Sequence, residues 1–265
     1  RKPMRIAIEV TPLHTGHRNR GVGTYTKLLI EALEKYESGH SYHFFTRGQK
    51  IPSNDFKNKI VLGEPENVDL VHYPYFDLFF HTLPGKKSVA RGVTIHDVIP
   101  LVFPRYFPAG IKGYINLFFQ KRALTKTDFI ICDSGTSKKD IIDKLQISDE
   151  KIHVIYLAAG ENFKKLENKA FLESVRKKFH LPKEFALYVG DVNWNKNIEG
   201  LITAIFKVKI PAVLVGQAIT DQNLKPAKKI NKLIGRLNLE NRITKTGFVA
   251  EDDLIALYNL AALTV

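Results

Sequence analysis

The 265 residues are 44% hydrophobic and 11% aromatic, enough apolar material for one large domain or two smaller ones, which excludes a disordered chain. Forty Lys and Arg stand against 27 Asp and Glu, and the excess is shared: 25 cations against 17 acids in residues 1–165, then 15 against 10 in 166–265, so no basic tail accounts for it. A single Cys, Cys132, excludes an intrachain disulfide and suits a reducing compartment, and LVHYPYFDLFF, broken by Pro74 and Asp77, is too short to span a bilayer.

Short apolar runs alternate with amphipathic stretches along the chain, which predicts an α/β protein with parallel sheets. Strands are expected at 4–10, 41–46, 69–73, 91–96, 128–132 and 152–156, with helices at 23–37, 110–125 and 135–145. Residues 157–184 turn polar and carry one charged helical piece, which reads as the crossing into a second domain. There the pattern resumes with strands at 185–190, 211–216 and 242–245 and helices at 196–208, 222–236 and 251–260. The closing ALTV reads as the start of one more strand, so the second domain is expected to be incomplete. The predicted division is 1–160 and 161–265.

In an open parallel sheet, ligands meet the carboxyl ends of the strands. Two such sheets facing each other would make a cleft for a nucleotide-activated substrate. Four features fall at strand ends. Gly21-Val22-Gly23-Thr24 opens the first long helix; ten residues separate it from the strand ending at Val10 and no third glycine follows, so it is not a dinucleotide fingerprint. Backbone N–H groups at this helix start, with Arg18 and Arg20 near, suit an anion or a sugar; the alternative is an ordinary helix entry. His96-Asp97 ends a central strand. The imidazole there could bond a hydroxyl or phosphate oxygen, and Asp97 could orient it or cap the next segment. Ser134, with Ser137 and Lys138 after it, follows FIICD and reads first as a helix cap, while Cys132 within that strand reads as a packed apolar group. Lys196, five residues past Asp191 in a strand-to-helix loop, could hold a diphosphate with help from the following helix dipole, or be a plain surface lysine. The histidines show no metal-ligand spacing, so no metal is expected.

The spread positive charge favours anions in general: nucleotide phosphates, anionic lipid headgroups or nucleic acid. No nucleic-acid motif accompanies it, so nucleic acid is disfavoured. The stretch AGIKGYINLFFQKRAL (109–124) combines Ile111, Tyr114, Ile115, Phe118 and Phe119 with Lys112, Lys121 and Arg122. Its expected arrangement is an ordinary helix packing that apolar face on its own sheet, with at most peripheral, salt-sensitive contact to anionic membrane.

In order, RNRGVGTYTKLLIEAL, VTIHDVIPLVFPRYFP, TDFIICDSGTSKKDI, KIHVIYLAAGENF, FALYVGDVNWNKN and GFVAEDDLIALYNLAALTV resemble the retaining glycosyltransferases of family 4, the group 1 transferases with two Rossmann-like domains (the GT-B fold). The HDVIPLVFP segment looks most like mannosyltransferases of bacterial polysaccharide synthesis. The resemblance implies a transferase moving a hexose, mannose from GDP-mannose being the suggested donor, onto a saccharide or lipid-linked acceptor without a metal. It assigns Gly21, Val22, Gly23 and Thr24 to the donor diphosphate and sugar, His96 to the transferred sugar and Lys196 to the leaving diphosphate, with His96 and Lys196 as the catalytic pair. A cytoplasmic enzyme, touching the inner face of the membrane at most, is expected. Two departures stand out. Asp191 occupies a position where many relatives carry Arg, and the family's Glu-x7-Glu segment would lie beyond Val265. By that comparison this chain is expected to bind nucleotide-sugar weakly and transfer little. The alternative is a non-catalytic fragment that binds an acceptor or a membrane surface.

Overall fold

A computed structural model of the chain describes residues 2–18, 20–36, 39–48 and 60–265. It divides into two compact units, Arg1–Ala158 and Ala159–Val265. The first holds seven strands in one sheet: β1 (Arg5–Glu9), β2 (Ser41–Thr46), β3 (Ile60–Leu62), β4 (Leu70–Tyr73), β5 (Ala90–Thr94), β6 (Phe129–Cys132) and β7 (Ile152–Val154). Their order is β3-β2-β1-β4-β5-β6-β7, and every pairing is parallel. The chain therefore builds outward from β1, returns, and builds the other way from β4, which puts the reversal of strand order between β1 and β4.

Alternation along the strands loads both faces, as a sheet sandwiched by helices requires. Ala7, Phe45, Val71, Tyr73 and Val93 join one core with α3 (Gly110–Thr125) and α4 (Gly135–Leu145), which contribute Ala123, Leu124, Ile141 and Leu145. The intervening side chains Ile8, Val10, Phe44 and Ile60 form the opposite core with Ile30 of α1 (Gly21–Lys35). Cys132 is fully buried within the first of these cores, as a packed apolar group. The one-turn helix α2 (Ile99–Val102) follows β5.

The second unit repeats the plan with β8 (Ala186–Val189), β9 (Ala212–Val215), β10 (Ile243–Gly247) and β11 (Leu263–Thr264) in the order β10-β9-β8-β11, again all parallel. Ala186, Tyr188, Ala212 and Leu214 face α6 (Ile198–Val208) and α8 (Lys225–Arg236). Leu187, Val213 and Val215 face the side of α5 (Lys169–Lys178) and α9 (Glu251–Leu260). The fragment read at the chain end as a beginning strand is β11, paired with β8 through Leu263 and Thr264.

Several expectations need correction. None of β3, α2 and α7 (Gln217–Thr220) was foreseen, and the helix expected at 222–236 is α8, which starts three residues later at Lys225. α1 starts at Gly21, two residues earlier than expected; Glu37 of the expected range lies outside the described residues. The largest correction concerns α3. Its buried side is Gly113, Gln120, Ala123 and Leu124; Leu124 fills the core, while Gly113 lets Phe79 of the 77–82 loop approach. Asn116 and Gln120 donate to the Phe79 and Asp77 carbonyls of that loop. Ile111, Tyr114, Ile115, Phe118 and Phe119, expected against the sheet, are each more than half exposed.

Candidate active site

Four loops of the first unit meet around His96, two residues beyond the end of β5. Its Nδ1 lies 2.6 Å from Asp133 Oδ2 after β6, and its Nε2 lies 3.1 Å from the Pro74 carbonyl oxygen after β4. The Tyr25 ring of α1 stands edge-on to the imidazole at 4.7 Å, and Ser137 Oγ donates to the His96 carbonyl at 2.8 Å. Behind this layer Thr94 Oγ1 bonds both Tyr25 Oη (3.2 Å) and the buried His72 Nε2 (2.9 Å). Burial, with His96 adjacent, pushes His72 down to about 4, so its ring is neutral near pH 7. Asp97 instead bonds the start of α2, its Oδ1 accepting from Ile99 N at 3.0 Å, although the N-cap itself is Val98. Asp133, which sequence reasoning passed over, takes the place beside the ring. Ser134 is the N-cap of α4, accepting from Ser137 N, and Lys138 is tied to the Ile152 carbonyl and Asp149.

The first three N–H groups of an α-helix have no acceptor within it, and in α1 these belong to Gly21, Val22 and Gly23. Arg20, the N-cap residue, offers no side-chain bond to them. Thr24 differs from its expected role, because its N–H is already donated to the Arg20 carbonyl at 3.0 Å. The two glycines do different work. A Cβ on Gly23 would overlap the His17 and Arg18 carbonyls, since the preceding loop folds directly over the helix start, whereas Gly21 has nothing within 4 Å. That loop is itself anchored by His17 packing on Tyr75 at 4.7 Å. Gly23→Ala is therefore expected to cost about 1–3 kcal/mol in urea unfolding. Gly21→Ala should stay within about 0.5 kcal/mol of wild type, as a surface change does. A Gly23→Ala protein as stable as Gly21→Ala would contradict this packing.

In the second unit each of three neighbouring strands hands over to a glycine at its carboxyl end: Gly190 after β8, Gly216 after β9, and Gly247 closing β10. They are laced together, Gly190 N donating to the Val215 carbonyl and Gly216 N to the Gly247 carbonyl. The result is a backbone ledge of partly exposed Gly190 and Gly216 beside the 191–197 loop, with Gly247 buried against Thr220. Lys196 ends the 3-10 turn Trp194–Lys196, just before Asn197, whose left-handed backbone (φ 48°, ψ 40°) starts α6. Lys196 is exposed, and among the described residues no carboxylate pairs with its ammonium. Asp191 turns back on its own chain, its Oδ1 accepting from Val192 N at 2.7 Å. Among the described residues no group of three His, Cys, Asp or Glu is placed to hold a metal ion.

A parallel sheet with its order reversed at β1 and β4, and a second parallel sheet reversed at β8 and β11, make each unit a doubly wound α/β sheet with polar groups at its strand ends. Residues 51–158 match the model of Glycosyltransferase Family 4, and residues 172–265 match Glycosyl transferases group 1. The two matched segments, with the shared fold, support a GT-B glycosyltransferase that resembles bacterial mannosyltransferases. It is 30% identical over 199 residues to the serotype-specific mannosyltransferase WbdA of Escherichia coli, a match covering 71% of this chain and 24% of that protein. The chain thus spans about a quarter of that relative's length. Among solved structures, sucrose-phosphate synthase from Thermosynechococcus elongatus shares the fold (TM-score 0.67, 17% identity, 98% of this chain and 74% of that one). So does Anabaena Alr3699/HepE in complex with UDP-glucose (TM-score 0.67, 18% identity, 98% and 73%).

Proposed function

We propose that this protein is a retaining hexosyltransferase that moves a hexose from a nucleoside diphosphate, GDP-mannose being the favoured donor, onto a saccharide or lipid-linked acceptor. The observation that carries the reading is the glycine ledge of the second unit with Lys196 beside it. Glycine at Gly190 and Gly216 leaves partly exposed backbone against which a base and ribose can lie, and the exposed Lys196 ammonium, in no ion pair among the described residues, can meet a diphosphate. Breaking the bond from sugar to phosphate builds charge on the leaving oxygens, and fixed donors aimed there lower the barrier. In the first unit, the N–H groups of Gly21, Val22 and Gly23 are donors of the same kind, and His96 adds an imidazole at a strand end. No metal is required by this arrangement, since Lys196 and the helix starts carry the positive charge. The mannosyltransferase relative supports the choice of sugar, and the neighbour solved with UDP-glucose supports the donor class. Product made from α-linked donor by the transfer-competent protein should carry an α-linkage by proton NMR of its anomeric signal. A β-linked product would rule out retention.

The acceptor side has a physical correlate in α3. Ile111, Tyr114, Ile115, Phe118 and Phe119 form an exposed apolar face, with Phe80 (68% exposed) on the loop packed beside it. From Val98 to Thr127 the sequence contains Arg105, Lys112, Lys121, Arg122 and Lys126 and not one acid. Apolar rings among cations, with no opposing charge, match an anionic lipid surface. No described helix is long and apolar enough to cross a membrane, so the contact we propose is peripheral. Because these side chains are more than half exposed, the binding should be partly salt-resistant, beyond what the charge pattern alone suggests. Burying one phenyl ring is worth about 1.5–3 kcal/mol. Phe118→Ser should therefore weaken sedimentation with phosphatidylglycerol vesicles roughly tenfold or more. Binding abolished entirely by high salt, and indifferent to Phe118→Ser, would reduce the patch to plain surface charge.

A further inference from the structure

We infer that Asp133 is a positioning residue that holds His96 as a hydrogen-bond donor at both ring nitrogens, and so sets it to donate to the transferred group instead of accepting a proton. The inference rests on the role proposed above for His96. It starts from what the ring faces. Asp133 Oδ2 lies 2.6 Å from Nδ1 and the Pro74 carbonyl oxygen lies 3.1 Å from Nε2. A carboxylate and a carbonyl are both acceptors, and two acceptors are satisfied together only by a ring carrying two N–H groups. A base would need one bare nitrogen, and neither position offers it a donor.

Asp133 has no competing structural task. The cap of α4 is Ser134, which accepts from Ser137 N, so the helix start does not need the neighbouring carboxylate. Its second oxygen, Oδ1, is buried and has no hydrogen-bond partner among the described residues. The carboxylate is therefore answered by the imidazole, and the two side chains are only 17% and 19% exposed. A buried carboxylate with one free oxygen is an expensive group to keep for packing alone. The other groups about the ring fix its plane without supplying charge. Tyr25 stands edge-on from α1, Ser137 of α4 holds the His96 carbonyl, and the buried His72 of β4 bonds Thr94. With Nδ1 clamped, Nε2–H points along one direction, and a sugar hydroxyl or phosphate oxygen arriving there can share or replace the Pro74 carbonyl.

Asp133→Asn keeps shape and an acceptor oxygen while removing the charge, so it separates positioning from packing. In long-range proton–nitrogen spectra of the intact chain, the wild-type His96 ring should show an N–H at each nitrogen, as its two acceptors require. Asp133→Asn should show one bare nitrogen with the thermal midpoint little changed. In the transfer-competent protein the same variant should lower kcat roughly ten- to a hundredfold, the worth of one charge-assisted hydrogen bond, with the donor KM moving much less. A wild-type ring with one bare nitrogen overturns the inference, and so does an Asp133→Asn protein whose ring spectrum and kcat both match wild type. If Asp133→Asn fails to fold, the wild-type spectrum alone still decides. His96→Ala with full transfer would instead remove His96 from the proposed function, a different failure that the spectrum of the pair does not share.

Discussion

Lys196→Ala should lower kcat by roughly 10²–10³-fold while leaving the thermal midpoint nearly unchanged, because removing one preorganised charge-stabilising group costs about 2.7–4 kcal/mol of transition-state energy. The side chain is exposed, and among the described residues it joins no ion pair, so the folded state loses almost nothing with it. Its position is fixed by backbone alone: the 3-10 turn Trp194–Lys196, closed by Lys196 N to the Asn193 carbonyl at 2.9 Å, then the left-handed Asn197. Asn197 can fold its amide back over α6 because Gly200 leaves room for it. Nearby Asp191 turns its Oδ1 to its own chain, accepting from Val192 N at 2.7 Å. Lys196→Arg should recover part of the loss, keeping charge but not the compact ammonium. Parallel kcat measurements and thermal melts check this, and equal loss of stability and turnover in Lys196→Ala would make the lysine structural.

Gly216→Ala should cost about 3 kcal/mol or more in urea unfolding, the largest stability effect expected of any glycine here. The residue has φ +153°, a conformation that side-chain-bearing residues rarely adopt, and a Cβ would fall onto the Gly190 carbonyl oxygen, with Ile219 Cδ1 at 3.4 Å. Neither obstacle can yield easily. The Gly190 backbone is held by its N–H bond to Val215, and Gly216 itself donates to Gly247, so moving one glycine disturbs two strand ends. Gly85→Ala, with nothing within 4 Å, is the matched control. A Gly216→Ala protein within 1 kcal/mol of that control would mean the ledge is looser than its geometry implies.

The alternation of apolar runs and amphipathic stretches was legible because it reports burial on two faces of a parallel sheet, a property each segment carries by itself. The strands at 41–46, 128–132 and 185–190 and the helices at 110–125, 135–145 and 251–260 came through almost to the residue. β3 and α2 did not, being only three and four residues long, too short for any period to register. The orientation of α3 was not legible either. Periodicity finds an apolar stripe but not what covers it, and the stripe that packs inward is the small one around Gly113 and Ala123.

The site shows the same division. His96, Gly21 and Lys196 could be found because each follows a strand, where open sheets present ligands. Asp133 could not be matched to His96, because 37 residues separate them and only the adjacency of β5 and β6 closes that gap. A signal did exist for the ledge. FALYVG, AVLVG and ITKTG each close a strand with glycine, and the three together, not only the first, mark it.

The central claim is that the carboxyl ends of β8, β9 and β10 receive a nucleoside diphosphate sugar, and backbone amide spectra of the chain during a GDP-mannose titration test it most directly. The account predicts saturable shifts concentrated on Gly190–Asn197, Gly216 and Gly247, weakened in Lys196→Ala without loss of dispersion elsewhere. Saturable shifts that avoid all three strand ends, or a titration identical in wild type and Lys196→Ala, would contradict it.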